Sequence, residues 1–329
     1  MKEPKFIIVV GASAGGYMAV SELISQFKKD MDAAVLVVFH VHKISTHEVV
    51  LQRLQAQTHF TCKLAEQGEV VKKGFIYISV PDQHLLVKKG KILLGQGPHE
   101  NRWRPSIDVL FRSAAAHYNA RVIGLVLSGL LSDGTSGMAA IKRCGGTCIV
   151  QDPNEAEYPS MIESVLQEVA VDFCVPLEEM GTLLEEITRN SFEPHAVPAD
   201  IQEEARIAEQ VAVGIDNVKP IGESSAFVCP DCGGLLWEMV NDHVTRYRCY
   251  TGHVFNQDEL LIRKSQALES TLWTALRILE ERKNLLDKIA RQEAARGWKQ
   301  AAALKTDRAT ELEEHIQRLK QVLLHTKND

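Results

Sequence analysis

Over the first 190 residues, short and continuously apolar runs alternate with segments whose apolar residues recur at the helical period. Residues 6–10 (FIIVV) and 33–39 (AAVLVVF) contain no polar side chain, and residues 121–127 and 147–150 are nearly as apolar. Side chains alternate across a strand, so a strand apolar at every position must be covered on both faces. Between these runs, residues 16–27 carry Ala19, Val20, Leu23 and Ile24 on one helical face, and residues 47–54, 106–118 and 134–142 also read as helices. Residues 75–80 and the 85–94 segment, which turns at Lys89-Gly90, read as short strands and a hairpin. Buried strands joined by helices predict a doubly wound, mostly parallel α/β sheet, Rossmann-like, over residues 1–190.

The remaining chain is of a different kind. At roughly 150 residues per domain, 329 residues leave room for a second body. Residues 191–222 read as an acidic linker with one helix in the 201–213 run, a solvated face that needs no partner. Residues 223–256 form a compact segment, and 257–329 are almost purely helix-forming. There Leu268, Leu272, Ala275, Leu279, Leu286 and Ile289 keep a 4-3 spacing interrupted by Arg282. Ala309, Leu312, Ile316, Leu319 and Leu323 repeat it after a break at Gly297. That pattern predicts a helical hairpin or coiled coil whose exposed face could serve a homodimer or a signalling partner. The formal net charge of −6 argues against a general nucleic-acid binder. The start of the chain lacks the apolar stretch of a signal peptide, and no run reaches the roughly 18 apolar residues of a membrane span. A cytoplasmic location without membrane insertion is therefore expected. Seven cysteines, an odd number without secretory context, do not suggest a disulfide framework.

The chemistry begins at the first turn, Gly11-Ala12-Ser13-Ala14-Gly15-Gly16. A dinucleotide-binding turn would want a carboxylate at the end of the second strand, where this chain has His40. A G-x-S-x-G nucleophile turn would want a base nearby, and His40 ends the neighbouring strand on the same sheet edge. Ser is also a favoured helix N-cap, which is the competing reading of Ser13. Asp133 follows a third strand and precedes a helix. It reads either as an N-cap or as the carboxylate that orients the His ring. All three residues fall at the carboxyl ends of strands, where open α/β sheets place their sites. His42 shares the strand face of His40 and is the alternative base, whereas His84 and His117 read as surface or core residues. Arg102 and Arg104, beside Trp103, fit either an acidic substrate or a loop closure.

Residues 6–190 resemble the catalytic domain of the CheB-type protein-glutamate methylesterases of bacterial chemotaxis. The resemblance rests on the 10–16 turn, His40 closing strand two, Pro81-Asp82-Gln83-His84, and NRWRPSIDVLF at 101–111. Leu127-Ser128-Gly129, Ser132-Asp133-Gly134 and Val150-Gln151-Asp152 complete it. It implies Ser13 as nucleophile, His40 as base, Asp133 as orienting partner and the backbone amide of Leu130 as oxyanion donor. It implies hydrolysis of γ-glutamyl methyl esters on the cytoplasmic helices of chemoreceptors, or on another methylated protein, with release of methanol. Deamidation of receptor glutamines is a second implied activity, and no cofactor is implied for catalysis. Ala14 stands where many members carry Thr, and Phe39-His40-Val41 replaces the more usual Gln-His-Met. The chain opens on strand one, without the receiver domain common at the N-terminus of this family, so the resemblance does not carry phosphorelay control over. The opposing class is a non-catalytic scaffold that binds partners through its C-terminal parts.

Cys229-Pro230-Asp231-Cys232 and Cys249-Tyr250-Thr251-Gly252-His253 form a C-x2-C and a C-x3-H pair. Four such ligands suit a tetrahedral, structural zinc with no open position. The strands between them, at 235–239 and 244–248, read as a hairpin turning at Asn241-Asp242, as in a zinc ribbon, with His243 a substitute ligand. A redox pair at Cys229 and Cys232 is the poorer reading, because Cys249 and His253 supply the other two corners. Longer family members without a receiver resemble this chain here too, with a CPDCGG…RC…GH segment and a helical tail.

Overall fold

The computed structural model describes residues 3–40, 47–209, 222–239 and 244–325. It divides into two compact units, Met1–Gln257 and Asp258–Asp329. The strands of the first unit's main sheet are β1 (Phe6–Ala12), β2 (Ala33–Phe39), β3 (Thr61–Leu64) and β4 (Phe75–Ile78). A hairpin of β5 (His84–Lys88) and β6 (Lys91–Gly95) intervenes before β7 (Val122–Val126), β8 (Thr147–Gln151) and β9 (Phe173–Val175). The helices are α1 (Gly16–Ser25), α2 (His47–Gln55), α3 (Ile107–Tyr118), α4 (Thr135–Arg143), α5 (Ser160–Glu168), α6 (Leu177–Arg189) and α7 (Ala199–Ala208).

The seven strands run in the order β3-β4-β2-β1-β7-β8-β9, and every pairing is parallel. The expected doubly wound sheet is thus present. The two-residue period divides β1 between two cores. Ile7 and Val9 pack with α3, α4 and α5, while Phe6, Ile8 and Val10 pack with α1 and α6. Order reverses between β1 and β7, where the winding changes direction, which makes the carboxyl ends of these strands the place where open α/β sheets put their sites.

Beyond the sheet, α7 departs from the expected solvated helix. Ile201, Glu204, Ala205 and Ile207 are buried, and Ile207 packs against Trp237 and Met239 of the next segment. That segment is a four-stranded antiparallel sheet of β10 (Gly222–Val228), β11 (Leu235–Met239), β12 (Arg246–Cys249) and β13 (Val254–Asn256). His42, His243 and the Asn241-Asp242 turn lie outside the described residues, as does the predicted helical run beyond residue 209.

The second unit is a helical hairpin. Helix α8 (Gln257–Ala295) begins at the unit boundary, and α9 (Lys299–His325) returns after a turn in which Gly297 has φ 82°. Leu276, Ile316 and Leu323 form its buried seam, flanked by Leu272, Leu279 and Leu319. Lys283–Glu313 at 2.7 Å and Lys320–Glu280 at 2.9 Å tie the two helices. Among the described residues, no helix is long and apolar enough to cross a membrane.

Candidate active site

Ser13 follows directly on β1, at the switch point of the sheet. Its N–H donates to Ser128 O after β7 at 3.0 Å, which fixes the turn against the neighbouring strand's exit. Gly15 makes the bend possible, with φ 70°, a region that L side chains rarely adopt. A Cβ there would meet Ser128 Oγ at 2.8 Å and Glu157 Oε2 at 2.9 Å. Helix α1 is capped at Gly15 without a side-chain hydrogen bond, so the Ser13 hydroxyl is not consumed as an N-cap.

The hydroxyl instead faces His40, which leaves β2 with its N–H bound to Ala12 O at 3.2 Å. Ser13 Oγ lies 3.2 Å from His40 Nδ1, and His40 Nε2 lies 2.9 Å from Asp133 Oδ2. The carboxylate can only accept, so Nε2 carries the proton and Nδ1 is left to accept from Ser13. Trp103 lies flat on the imidazole, with centroids 4.0 Å apart and planes 6° apart. The His40 side chain is 0% exposed, so its orientation is fixed from one face by the indole and from one edge by the carboxylate.

Asp133 does not cap the helix that follows it, because α4 starts from Gly134 with no side-chain cap. It caps α3 instead. Its oxygens accept from Ile107 N at 2.7 Å, Asp108 N at 3.3 Å, Ser106 Oγ at 2.8 Å and Asn101 Nδ2 at 3.3 Å. Asp108, on the first turn of α3, reciprocates by accepting from Gly134 N at 3.0 Å and Gly137 N at 2.7 Å at the start of α4. Burial alone would raise the Asp133 carboxyl. The hydrogen bond and charge of His40, with the Ile107 and Ser106 donors, outweigh it and hold the group below the usual carboxylate range. Burial, then the charge of Asp133, pushes Asp108 the other way, up to about 7. One carboxylate of the pair stays ionised beside the imidazole while the other tends to keep its proton.

Leu130 sits in the loop between β7 and α4. Gly129 before it packs so tightly that a Cβ would come within 2.9 Å of Ser13 Cβ and 2.5 Å of Met161 Cε. Among the described residues, the Leu130 N–H donates to no acceptor, whereas Gly129 N–H and Leu131 N–H are both bound, to Tyr158 O and Ser160 Oγ. An open amide in the loop whose Gly129 packs on Ser13 is of the kind that suits a developing oxyanion.

The other candidates fall elsewhere. His84 is buried, donating from Nε2 to Pro98 O at 2.9 Å and accepting from Ser106 N at 3.3 Å. His117 lies 3.6 Å from Glu209, outside the relay. Arg104 donates to Asp82 Oδ1 at 2.8 and 3.0 Å and to Gly97 O, closing the loop onto itself. Sequence reading assigned no role to Asn101, Trp103 or Asp108, although all three stand in the 101–111 motif.

In the four-stranded segment, Cys229, Cys232, Cys249 and His253 bring one ligand atom each within 4.8 Å of the others. Cys232 Sγ and Cys249 Sγ are 3.7 Å apart; His253 Nδ1 is 3.7 Å from Cys229 Sγ and 3.5 Å from Cys249 Sγ. A regular tetrahedron with zinc–sulfur and zinc–nitrogen bonds of ordinary length has edges of about 3.8 and 3.6 Å. The donor set therefore fits a tetrahedral metal.

A family model described as CheB methylesterase matches residues 8–184. A protein of Leptospira interrogans is 35% identical over 187 residues, which is 56% of this chain and 96% of that protein. A Thermotoga maritima protein named protein-glutamate methylesterase/protein-glutamine glutaminase is 34% identical over 185 residues, 55% of this chain and 54% of that one. The crystal structure of the Thermotoga maritima CheB methylesterase catalytic domain superposes with a TM-score of 0.53 at 33% identity, covering 55% of this chain and 98% of that domain. With the sheet order, the nucleophile turn and the matched span in agreement, the chain belongs to the CheB methylesterase family.

Proposed function

We propose that the protein is a serine hydrolase that removes methyl esters from glutamate side chains of a methylated signalling protein, the chemoreceptor cytoplasmic helices being the substrate that the family implies. The observation that carries this reading is the continuous line Ser13 Oγ, His40 Nδ1, His40 Nε2, Asp133 Oδ2, with steps of 3.2 and 2.9 Å around a buried imidazole. Ser13 Oγ attacks the ester carbonyl while its proton passes to His40 Nδ1. Asp133 stabilises the imidazolium so formed, and the Leu130 N–H receives the oxyanion. Collapse of the tetrahedral intermediate breaks the bond to the methoxy oxygen, which takes the proton from Nδ1 and leaves as methanol. Water, deprotonated by the same imidazole, then hydrolyses the acyl-serine and returns the proton to Ser13. A glutamine amide would follow the same path with ammonia leaving, which is how one site serves both activities in the relatives' printed name. The intact relay speaks against a purely scaffolding role. Methanol release from methylated receptor fragments tests the reading: the wild-type chain is expected to release it and Ser13→Ala to release none. Equal release by both would refute the serine mechanism.

A further inference from the structure

We propose that the Cys229/Cys232/Cys249/His253 ribbon is a zinc-held brace for the catalytic acid–base pair, and that Asn101 is the positioning residue through which it acts. This inference rests on the serine-hydrolase reading above. The loop at 99–106 joins the two parts. Its Asn101 donates to both Asp133 and Asp108, at 3.3 and 2.9 Å, and its Trp103 covers His40. Asn101 and Arg102 have φ of 46° and 66°, consecutive left-handed residues neither of which is glycine. Such a backbone persists only where its surroundings hold it.

The ribbon supplies the hold. Asn101 N–H donates to Val254 O at 2.9 Å, and Asn256 N–H donates to Asn101 Oδ1 at 3.3 Å. The Asn256 side chain donates to Ser132 Oγ, immediately before Asp133, so β13 grips both loops that present the carboxylate. One residue along, Glu100 is buried in an ion cluster with Arg112 of α3 and Arg248 of β12, the latter at 3.2 Å. Arg248 precedes the ligand Cys249, and Val254 follows the ligand His253. The same two ligands close the β12–β13 turn, with Cys249 N donating to His253 O at 3.0 Å. β12 and β13 are only four and three residues long, and although their side chains are largely buried, a four-ligand metal across the turn between them is what such small sheets use to hold shape. Losing the metal would loosen β13, then Asn101, and with it the alignment of Asp133 and His40. A displacement of about 1 Å at a catalytic pair costs up to roughly a hundredfold in rate.

The experiment uses the full chain and three readouts: zinc per chain, the rate at which a fluorophosphonate probe labels Ser13, and the downfield proton resonance of His40 Nε2–H against Asp133. The wild-type chain should hold about one zinc, from its four-ligand set. Chelation should slow labelling at least tenfold and shift or abolish the resonance, and added zinc should restore both. Asn101→Ala and Asn256→Ala should keep the zinc yet weaken labelling and resonance together, the first about tenfold and the second less. Cys249→Ser should lose the metal; where chelated protein or that variant does not fold, the two asparagine variants decide. The proposal is overturned by a wild-type chain that binds no zinc, by a folded zinc-free chain with unchanged labelling and resonance, or by asparagine variants that alter neither. A wild-type chain that is never labelled but shows the zinc-dependent resonance would refute the hydrolase reading and leave the brace standing.

Discussion

Asp133 and Asp108 exchange helices: each precedes or opens one helix and caps the other, and this cross-capping decides what each carboxylate can do. Asp133 accepts from four donors besides His40. In Asp133→Asn the amide nitrogen would face either those donors or the imidazole, favouring the wrong tautomer. Turnover should fall about 10³- to 10⁴-fold with the fold retained, measured as kcat on a methyl ester beside circular dichroism. Asp108 makes a prediction of opposite character. Folding raises its pKa from 3.8 to about 7, so between those values the folded protein holds a proton that the unfolded chain has released. Its contribution is complete below 3.8 and is lost as pH rises through 7. Asp108→Asn should remove that downward slope from the unfolding free energy measured by denaturant titration at each pH. Ser13 and His40 were legible in the sequence because a glycine-flanked serine and a strand-ending histidine each declare themselves locally. Asp133 was legible as a residue but not as a cap of α3, since the helix it serves begins 26 residues earlier in the chain.

At the scale of elements, the central strands β1, β2, β7 and β8 could be read because both of their faces are buried, which leaves a continuous apolar run. The edge strands β3 and β9 could not: Thr61–Leu64 and Phe173–Val175 are short and partly exposed, and three apolar residues at most in a row do not announce a strand. Helix α7 misled for a related reason. Its acidic residues suggest a solvated face, yet Glu204 is buried against Arg246 at 2.7 and 2.9 Å, with Arg112 at 3.4 Å and Arg248 at 3.7 Å. The partner of that charge lies 42 residues onward, beyond any local pattern. Burial alone would raise the Glu204 carboxyl, and the guanidinium groups of Arg246 and Arg112 outweigh it, bringing it to about 2. The folded value is depressed, so its stabilisation is present above the ordinary 4.5 and lost as pH falls from there toward 2. The shift corresponds to ~3 kcal/mol. Glu204→Gln leaves a buried arginine cluster short of a counter-charge, which costs about 3–5 kcal/mol when one partner of such a pair is removed. Hydrogen exchange should show β11 and β12 losing protection in this variant at neutral pH, and the wild-type chain approaching the same state only in acid.

The whole molecule is two bodies of unequal construction. The unit at Met1–Gln257 contains the sheet, the line Ser13–His40–Asp133, the ion cluster and the four-stranded segment, so the contacts around those three residues are internal to it. Among the described residues of the unit at Asp258–Asp329, the two helices of the hairpin are joined by an apolar seam and by the ion pairs Lys283–Glu313 and Lys320–Glu280, and exposed pairs of that kind add little. The 4-3 spacing made this hairpin legible, and Gly297 marked its turn, because both signals are local to the helices they describe. Ile316 is 1% exposed and packs in the seam with Leu276 and Leu323. Truncating it removes buried methyl and methylene groups where little else can collapse inward, a loss of about 2–4 kcal/mol. A hairpin with so narrow a core has little reserve against that loss. Calorimetry of the full chain should therefore resolve two transitions. Ile316→Ala should lower one by many degrees and leave the other, which reports the catalytic unit, where it was. Deleting residues 258–329 should abolish the first transition and again leave the second. A single merged transition that Ile316→Ala moves as a whole would show instead that the two units unfold as one.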